Sequence, residues 1–192
     1  MIDLHWRYFL SIAEDLAKVS RYVEFTPAND KVYSIEFLRL LLSAGAECDV
    51  LLKDIAGRYA TLPERPNISH YQSAVATKFP KLHTVEVYVP RFGLTLKPWA
   101  SWSAPASCTS PGWWNAYNAA KHDKQTNFAE ATLRHTLDST AALFVLGMTV
   151  HAIASSLDDL NNLQPELFTV THSPNTLLAN GLSLPEITDS LP

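Results

Sequence analysis

The chain has 192 residues, of which 47% are hydrophobic and 18% are charged, and its formal net charge is -4. This composition excludes a disordered chain, and the length is that of one domain with a sizeable core. The negative charge excludes a general attraction to phosphate backbones or anionic membranes, so any nucleic-acid contact would need a local cluster of cations.

The first part of the chain contains two amphipathic segments with helical periodicity. One helix is predicted to begin near Asp3, because apolar residues recur on one face while charged residues occupy the other. Ser34 then precedes a longer apolar-striped run, which predicts a second helix capped by Ser34 and reaching about Gly57. The N-terminal residues also lack the features of a signal peptide, so we expect a cytoplasmic protein.

A short third helix and a β-hairpin are predicted next. Ser69 is placed to cap a helix that ends before Pro80, since proline cannot continue a helix. Valines at alternate positions, a turn-forming PRFG sequence and two further alternating leucines then predict two antiparallel strands. The residues concerned are Val85, Val87, Val89, Leu94 and Leu96.

The second half of the chain predicts two more helices after a Ser/Pro-rich connector. Ser110 and Pro111 have the pattern of an N-cap followed by proline at the first helical position. Asn127 and Glu130 resemble a capping box that starts a final, largely apolar helix. The apolar stretch from Thr140 to Ser155 is shorter than the roughly 20 residues that span a bilayer, which favours a buried helix and no membrane contact.

Together these elements predict a mainly α protein, a four-helix-bundle-like fold with a small β-hairpin insertion. Residues 1–160 are predicted to form one helical-bundle domain, with the hairpin insert near residues 82–97. Residues 161–192 are predicted to be an irregular C-terminal tail that packs on the bundle or trails from it.

The chemically most unusual segment lies between Trp113 and Lys124. Phosphate-binding loops, nucleophile elbows and paired metal-binding histidines are missing from the sequence, so no metal or cofactor is expected. At 100° per residue, one helix face combines stacking groups with hydrogen-bond donors and a cation, and His122 lies at its edge. Such a face can contact a nucleotide, RNA or protein. Its members are Trp114, Tyr117, Asn118, Lys121 and Gln125.

The same pattern also fits a structural role. A tryptophan-rich helix start followed by polar residues is typical of a core anchor whose polar tips are hydrogen-bonded locally. Glu47 leaves the same choice open, because a carboxylate beside the apolar stripe of the second helix needs a partner. Lys121 or His122 could supply it, as a structural ion pair or as a tuned acid-base group that belongs to a binding site.

The order of the helices and the hexapeptide YNAAKH, from Tyr117 to His122, resemble the HEPN-like helical bundles of prokaryotic defence and toxin-antitoxin systems, which are often homodimers. In the ribonuclease members an arginine lies a few residues before the catalytic histidine. A polar residue usually follows the arginine. The resemblance therefore makes His122 and Asn118 the candidate catalytic residues.

The arginine of that motif is missing, because Asn115, Ala116 and Tyr117 occupy the positions that could hold it. Without a fixed cation the charge on a scissile phosphate would be poorly stabilised. The resemblance thus favours a non-catalytic interaction module that dimerises, or binds a partner protein, nucleotide or RNA, through the face from Trp114 to His122. The alternative is a metal-independent ribonuclease that uses His122 as general acid or base.

Overall fold

A computed structural model describes residues 4–103, 109–154 and 165–170 of the chain. Within these ranges the protein is mainly helical and has one small antiparallel sheet, so the mainly α prediction is confirmed. The helices are α1 (Leu4–Val19), α2 (Ile35–Tyr59), α3 (Ile68–Lys78), α4 (Gly112–His122) and α5 (Leu133–Ala154). The strands are β1 (Val87–Val89), β2 (Leu94–Leu96) and β3 (Thr169–Val170).

The α1 and α2 helices form an antiparallel pair whose apolar stripes are buried. His5 near the start of α1 contacts Glu47 on α2, and Asp15 near the end of α1 contacts Arg39 nearer the start of α2. From the first contact to the second, the residue number rises along α1 and falls along α2. The two helices therefore run in opposite directions. The apolar positions that the periodicity selects, such as Phe9, lie in the core.

Side-chain caps determine where α2 and α3 begin. The Oγ of Ser34 accepts a hydrogen bond from the Phe37 amide at 3.0 Å, as predicted. The prediction that Ser69 caps α3 is wrong. The side-chain oxygen of Asn67 accepts from the amides of Ser69 and His70, and the His70 ring completes a capping box by accepting from the Asn67 amide.

The predicted hairpin is confirmed, and it belongs to a larger sheet. β1 pairs antiparallel with β2 in the register Val87↔Leu96, and Gly93 closes the turn with a φ of 62°, which favours glycine. The valines of the alternating pattern are buried. β3 pairs with the other edge of β1, with Val170 opposite Val87. This third strand was not predicted, because two residues are too few to show an alternating pattern.

The α4 helix begins one residue later than the Ser-Pro pattern predicts. Pro111, not Ser110, is the N-cap residue, since its ψ of 145° is extended and its carbonyl accepts from the amides of Trp114 and Asn115. No side chain caps this end. The prediction for Ser110 is therefore wrong, because the backbone enters the helix only after the proline.

The α5 helix begins at Leu133, after a short 3-10 turn at Phe128–Glu130, and not at Asn127. The Asn127 side chain is engaged elsewhere, because its Nδ2 donates to the carbonyls of Ala119 and Asp123 at the end of α4. It makes no capping hydrogen bond to the 3-10 turn that follows it. Instead, the Oγ1 of Thr132 accepts from the His135 amide.

The α5 helix packs on α1, α2 and α4 and is the central helix of the domain. Because it begins at Leu133, it is longer than the stretch from Thr140 considered above. By length and composition alone, Leu133–Ile153 could cross a membrane. Most of this segment is buried inside the described part of the protein.

The described part of the C-terminal segment, residues 165–170, packs on α1 and α5. Phe168 is fully buried and stacks on Phe9 and Phe144, with ring centroids 6.5 and 6.1 Å away. Since β3 also completes the sheet, these residues belong with the domain that was predicted to end at residue 160. The remaining residues of the predicted tail lie outside the described ranges.

Candidate functional site

The aromatic residues of α4 are anchors in the core. The indole nitrogen of Trp113 donates to the Pro98 carbonyl at 2.9 Å, and its ring meets Trp99 and Trp114 edge to face at 5.3 and 5.7 Å. Trp114 in turn meets Tyr117 at 5.5 Å. Trp113, Trp114 and Tyr117 are all buried. The aromatic half of the predicted binding face therefore does not line an open groove.

This burial follows from how α4 is enclosed. The helix packs on both α2 and α5, so its buried arc is wide enough to include the aromatic residues and the small residues Ala116 and Ala120. Tyr117 fits against α2 because position 45 is glycine, where a β-carbon would overlap the ring.

The polar end of the predicted face remains accessible. Lys121, His122 and Gln125 are exposed, and the Lys121 ammonium lies 5.2 Å from the centroid of the Tyr117 ring. Asn118 is half-buried, and its side chain donates to the Trp114 carbonyl at 3.1 Å. A local hydrogen bond of this kind is what a structural role for Asn118 predicts.

In the turn after α4, the carboxylate of Asp123 accepts a backbone hydrogen bond. The Thr126 amide donates to the Asp123 carboxylate at 3.1 Å. The hydrogen bonds from Thr126 hold the pKa of Asp123 below its usual value, so its negative charge persists beside His122. The end of α4 thus presents Lys121, His122 and Lys124 next to one carboxylate.

Glu47 lies apart from this end of α4. Its carboxylate contacts the imidazole of His5, so the expected partnership with Lys121 or His122 is wrong. The reason is geometric, since Glu47 and Gly45 are two residues apart and hence about 200° around the helix. Gly45 faces α4, whereas Glu47 faces α1. Glu47 is mostly buried and His5 is nearly half exposed.

The His5–Glu47 pair lies on an outer surface that the sequence interpretation did not identify. Because α1 and α2 are antiparallel and His5 contacts Glu47, Leu4 and Tyr8 of α1 lie on the same outer side of the pair as Ala46 and Val50 of α2. Leu4, Tyr8 and Val50 are 69%, 42% and 50% exposed, and Ala46 is also exposed. We call this surface, made of these four residues and the His5–Glu47 pair, the α1–α2 face. The helical wheel already separates Leu4 and Tyr8 from the buried stripe, so they were identifiable as exposed apolar residues.

Charged side chains of both signs lie farther along the α1–α2 pair, beginning about two helical turns from Tyr8 and Ala46. The Arg39 guanidinium contacts the carboxylates of Asp15 and Glu36 at 2.6 and 2.5 Å. The hydrogen bond from Arg39 is the main reason that the pKa of Asp15 lies below its usual value. Lys18 contacts Asp15 and Glu14 at 3.3 and 3.0 Å.

A buried carboxylate elsewhere was also missed. Asp138 has the sequence spacing of an ordinary surface pair with Arg134, whose Nε lies 2.8 Å from its Oδ2. Its side chain is mostly buried, and its Oδ1 has no hydrogen-bond partner. Burial raises the pKa of Asp138 although Arg134 opposes the shift.

In residues 4–103, 109–154 and 165–170, no group of three His, Cys, Asp or Glu side chains could hold a metal ion.

Compared with known proteins, the chain matches no family model, no curated protein and no solved structure.

Proposed function

We propose that this protein is a non-catalytic, HEPN-like interaction module that forms a homodimer through its α1–α2 face. The supporting observation is the exposure of Leu4, Tyr8 and Val50 around a histidine–carboxylate pair. Apolar side chains that are grouped on an otherwise polar helix pair are typical of an interaction surface. Burying them against a partner removes apolar area from water, which stabilises association.

A second copy of the chain is the partner that the charges favour. Arg39 lies among Asp15 and Glu36, and Lys18 lies between Asp15 and Glu14. In a two-fold symmetric interface each surface meets its own copy, so a rim of mixed sign can form complementary pairs. A rim of one sign would instead repel its copy. If the partner were a different protein, the purified chain would be monomeric.

The exposed end of α4 supports a second candidate, the binding of a nucleotide or RNA. Lys121, His122 and Gln125 provide donors and charge there. Because Trp114 and Tyr117 are buried, base stacking on these rings is not available to such a ligand. The contact would depend on phosphate charge alone and would weaken steeply with salt.

The ribonuclease alternative has less support. His122 is accessible, but Asn115, Ala116 and Tyr117 occupy the positions of the missing arginine. The Lys121 ammonium, which is the nearest cation in sequence, rests over the Tyr117 ring. General acid-base catalysis by histidine supplies only about 10² to 10⁴ in rate, and phosphate cleavage also needs a stabilised oxyanion.

Molecular mass in solution, measured by sedimentation for wild type and two matched tyrosine variants, tests the homodimer. Tyr8→Glu places a charge within the α1–α2 face, whereas Tyr22→Glu makes the same change at a tyrosine that is 86% exposed beyond the end of α1. We expect dimeric wild type, dimeric Tyr22→Glu and a mainly monomeric Tyr8→Glu with an unchanged circular dichroism spectrum. A monomeric wild type, or a dimer insensitive to Tyr8→Glu, would contradict the proposal.

A further inference from the structure

One pair of ionisable side chains lies within the α1–α2 face. The Nδ1 of His5 contacts the Oε1 of Glu47, and the two side chains are 44% and 14% exposed. An ionised carboxylate only accepts hydrogen bonds, so the His5 Nδ1 is the donor whether or not the ring is protonated. Protonation therefore keeps the contact and changes its charge. A neutral ring leaves the pair with the negative charge of Glu47, whereas a protonated ring makes the pair neutral overall.

The other charged groups of α1 and α2 near this pair face elsewhere. Arg7 is two residues from His5 and hence about 200° around α1, and Lys53 is six residues from Glu47 and hence about 240° around α2. Asp54 lies on the same side of α2 as Glu47 but about 10 Å farther along the helix axis. Its carboxylate is bound in a salt bridge on its own helix. Glu47 is therefore the charged group that determines whether a proton on His5 is favourable.

The α5 helix and the described C-terminal segment also pack against α1. On α5, the ring of His151 meets Trp6 edge to face at 5.4 Å, and Trp6 is on the buried side of α1. The C-terminal segment packs farther along α1, where Glu166 lines a cavity with Leu10 and Ala13. Substitutions at His5 or at its partner therefore separate this pair from the other titratable groups.

A homodimer built on the α1–α2 face makes the proton on His5 favourable. The second copy covers the exposed part of the histidine together with Leu4, Tyr8 and Val50, and so removes water from the pair. A carboxylate without a compensating cation is costly in such surroundings. Two-fold symmetry also brings the pair of the second copy into the same interface, where two uncompensated carboxylates repel each other. Protonated His5 removes both costs.

We propose that protonation of His5 strengthens the homodimer, so that the α1–α2 face is a pH-sensitive interface; this inference rests on the proposed function. The dimer then binds more protons than the separate chains, and the state that binds more protons is favoured as the pH falls. Histidine changes its charge between about pH 5 and pH 8. The dissociation constant of the dimer should therefore fall as the pH is lowered within this range.

The test measures the Kd of the dimer by sedimentation at pH 8 and at pH 6.5, at one ionic strength and above the pI of about 5.9. Wild type is compared with three variants that each remove one ionisable side chain. His5→Gln keeps a hydrogen-bond donor that cannot become charged, and Glu47→Gln removes the carboxylate. His122→Gln makes the same change as His5→Gln at an exposed histidine outside the face. Circular dichroism verifies that each variant is folded.

We expect the wild-type Kd to be at least about tenfold lower at pH 6.5 than at pH 8, which is within the limit set by one proton for each chain. His122→Gln should keep this ratio. In Glu47→Gln the dimer should form equally at both pH values, because no carboxylate needs compensation. In His5→Gln any dimer should be weak at both pH values, because the carboxylate stays uncompensated.

A wild-type dimer whose Kd is the same at both pH values would overturn this inference and leave the homodimer standing. A ratio that His122→Gln loses, or that His5→Gln or Glu47→Gln retains, would do the same. So would the loss of the Glu47→Gln dimer at both pH values. A wild type that is monomeric at both pH values would instead contradict the homodimer, and this inference with it.

Discussion

Tyr117 lies so close to Gly45 that a β-carbon at position 45 would overlap the tyrosine ring. This contact brings α4 close to α2, and Trp114 and Ala120 on the same helix are buried as well. The polar residues that follow, Lys121 and His122, are directed to solvent as a result.

Gly45→Ala should therefore destabilise the protein although alanine has the higher helix propensity. Forcing an extra carbon into a packed contact costs about 1 to 3 kcal/mol. Gly57→Ala is the matched control on the same helix, since a β-carbon there meets nothing nearer than 4.0 Å. It should be neutral, or stabilising by up to about 1 kcal/mol. Chemical denaturation measures both, and equal effects would contradict the close contact.

Substitution of two serines compares the cap that the structure shows, at Ser34, with the predicted cap that it does not show, at Ser110. Ser34→Ala should cost about 1 kcal/mol, because the Oγ that accepts from the Phe37 amide is lost. Ser110→Ala should change the free energy of unfolding by less than about 0.5 kcal/mol, since no side chain caps α4. Urea denaturation of both variants is the measurement. A larger loss for Ser110→Ala would mean that α4 begins at the serine.

Low pH should reduce the free energy of unfolding, partly because Asp15 becomes protonated. Arg39 holds the pKa of Asp15 below the ordinary value of 3.8, so the folded state binds this proton less readily than the unfolded state. The contribution is present above pH 3.8 and is lost as the pH falls through the lower folded-state pKa. Because Asp15 is about one-third exposed and Arg39 about half, we expect at most about 1 kcal/mol.

Asp15→Asn should flatten the dependence of stability on pH in that acidic window, and Arg39→Gln should flatten it in the same way by removing the partner. Equilibrium denaturation between neutral pH and about pH 2 tests both variants. Curves that run parallel to wild type throughout this range would show that the Asp15–Arg39 pair does not contribute.

Local sequence patterns predicted where the helices and strands lie better than they predicted which of them pack together. The stripe of α1, the Ser34 cap and the valine alternation each depend on residues a few positions apart, and all three are found. The partner of Glu47 is His5, 42 positions away, and no local pattern could select it over Lys121. Such a choice depends on which side of α2 each helix occupies.

The same limit explains the aromatic face of α4. A helical wheel places Trp114, Tyr117 and Lys121 together correctly, but it does not show that α2 and α5 enclose the helix from two sides. Gly45 is the residue that permits this enclosure, and its role becomes apparent only when Tyr117 is placed against it. The interpretation as a core anchor, which the sequence left open, therefore describes the aromatic residues.

His122 provides the last prediction, which concerns catalysis. The residue is exposed at the end of α4, so His122→Ala should leave the free energy of unfolding within about 0.5 kcal/mol of wild type. It should also leave the molecular mass unchanged, because the α1–α2 face does not include it. With no arginine in the motif, we expect purified wild type to lack metal-independent cleavage of single-stranded RNA. Robust cleavage by wild type that His122→Ala abolishes, at unchanged stability and mass, would establish the ribonuclease alternative and overturn the non-catalytic assignment.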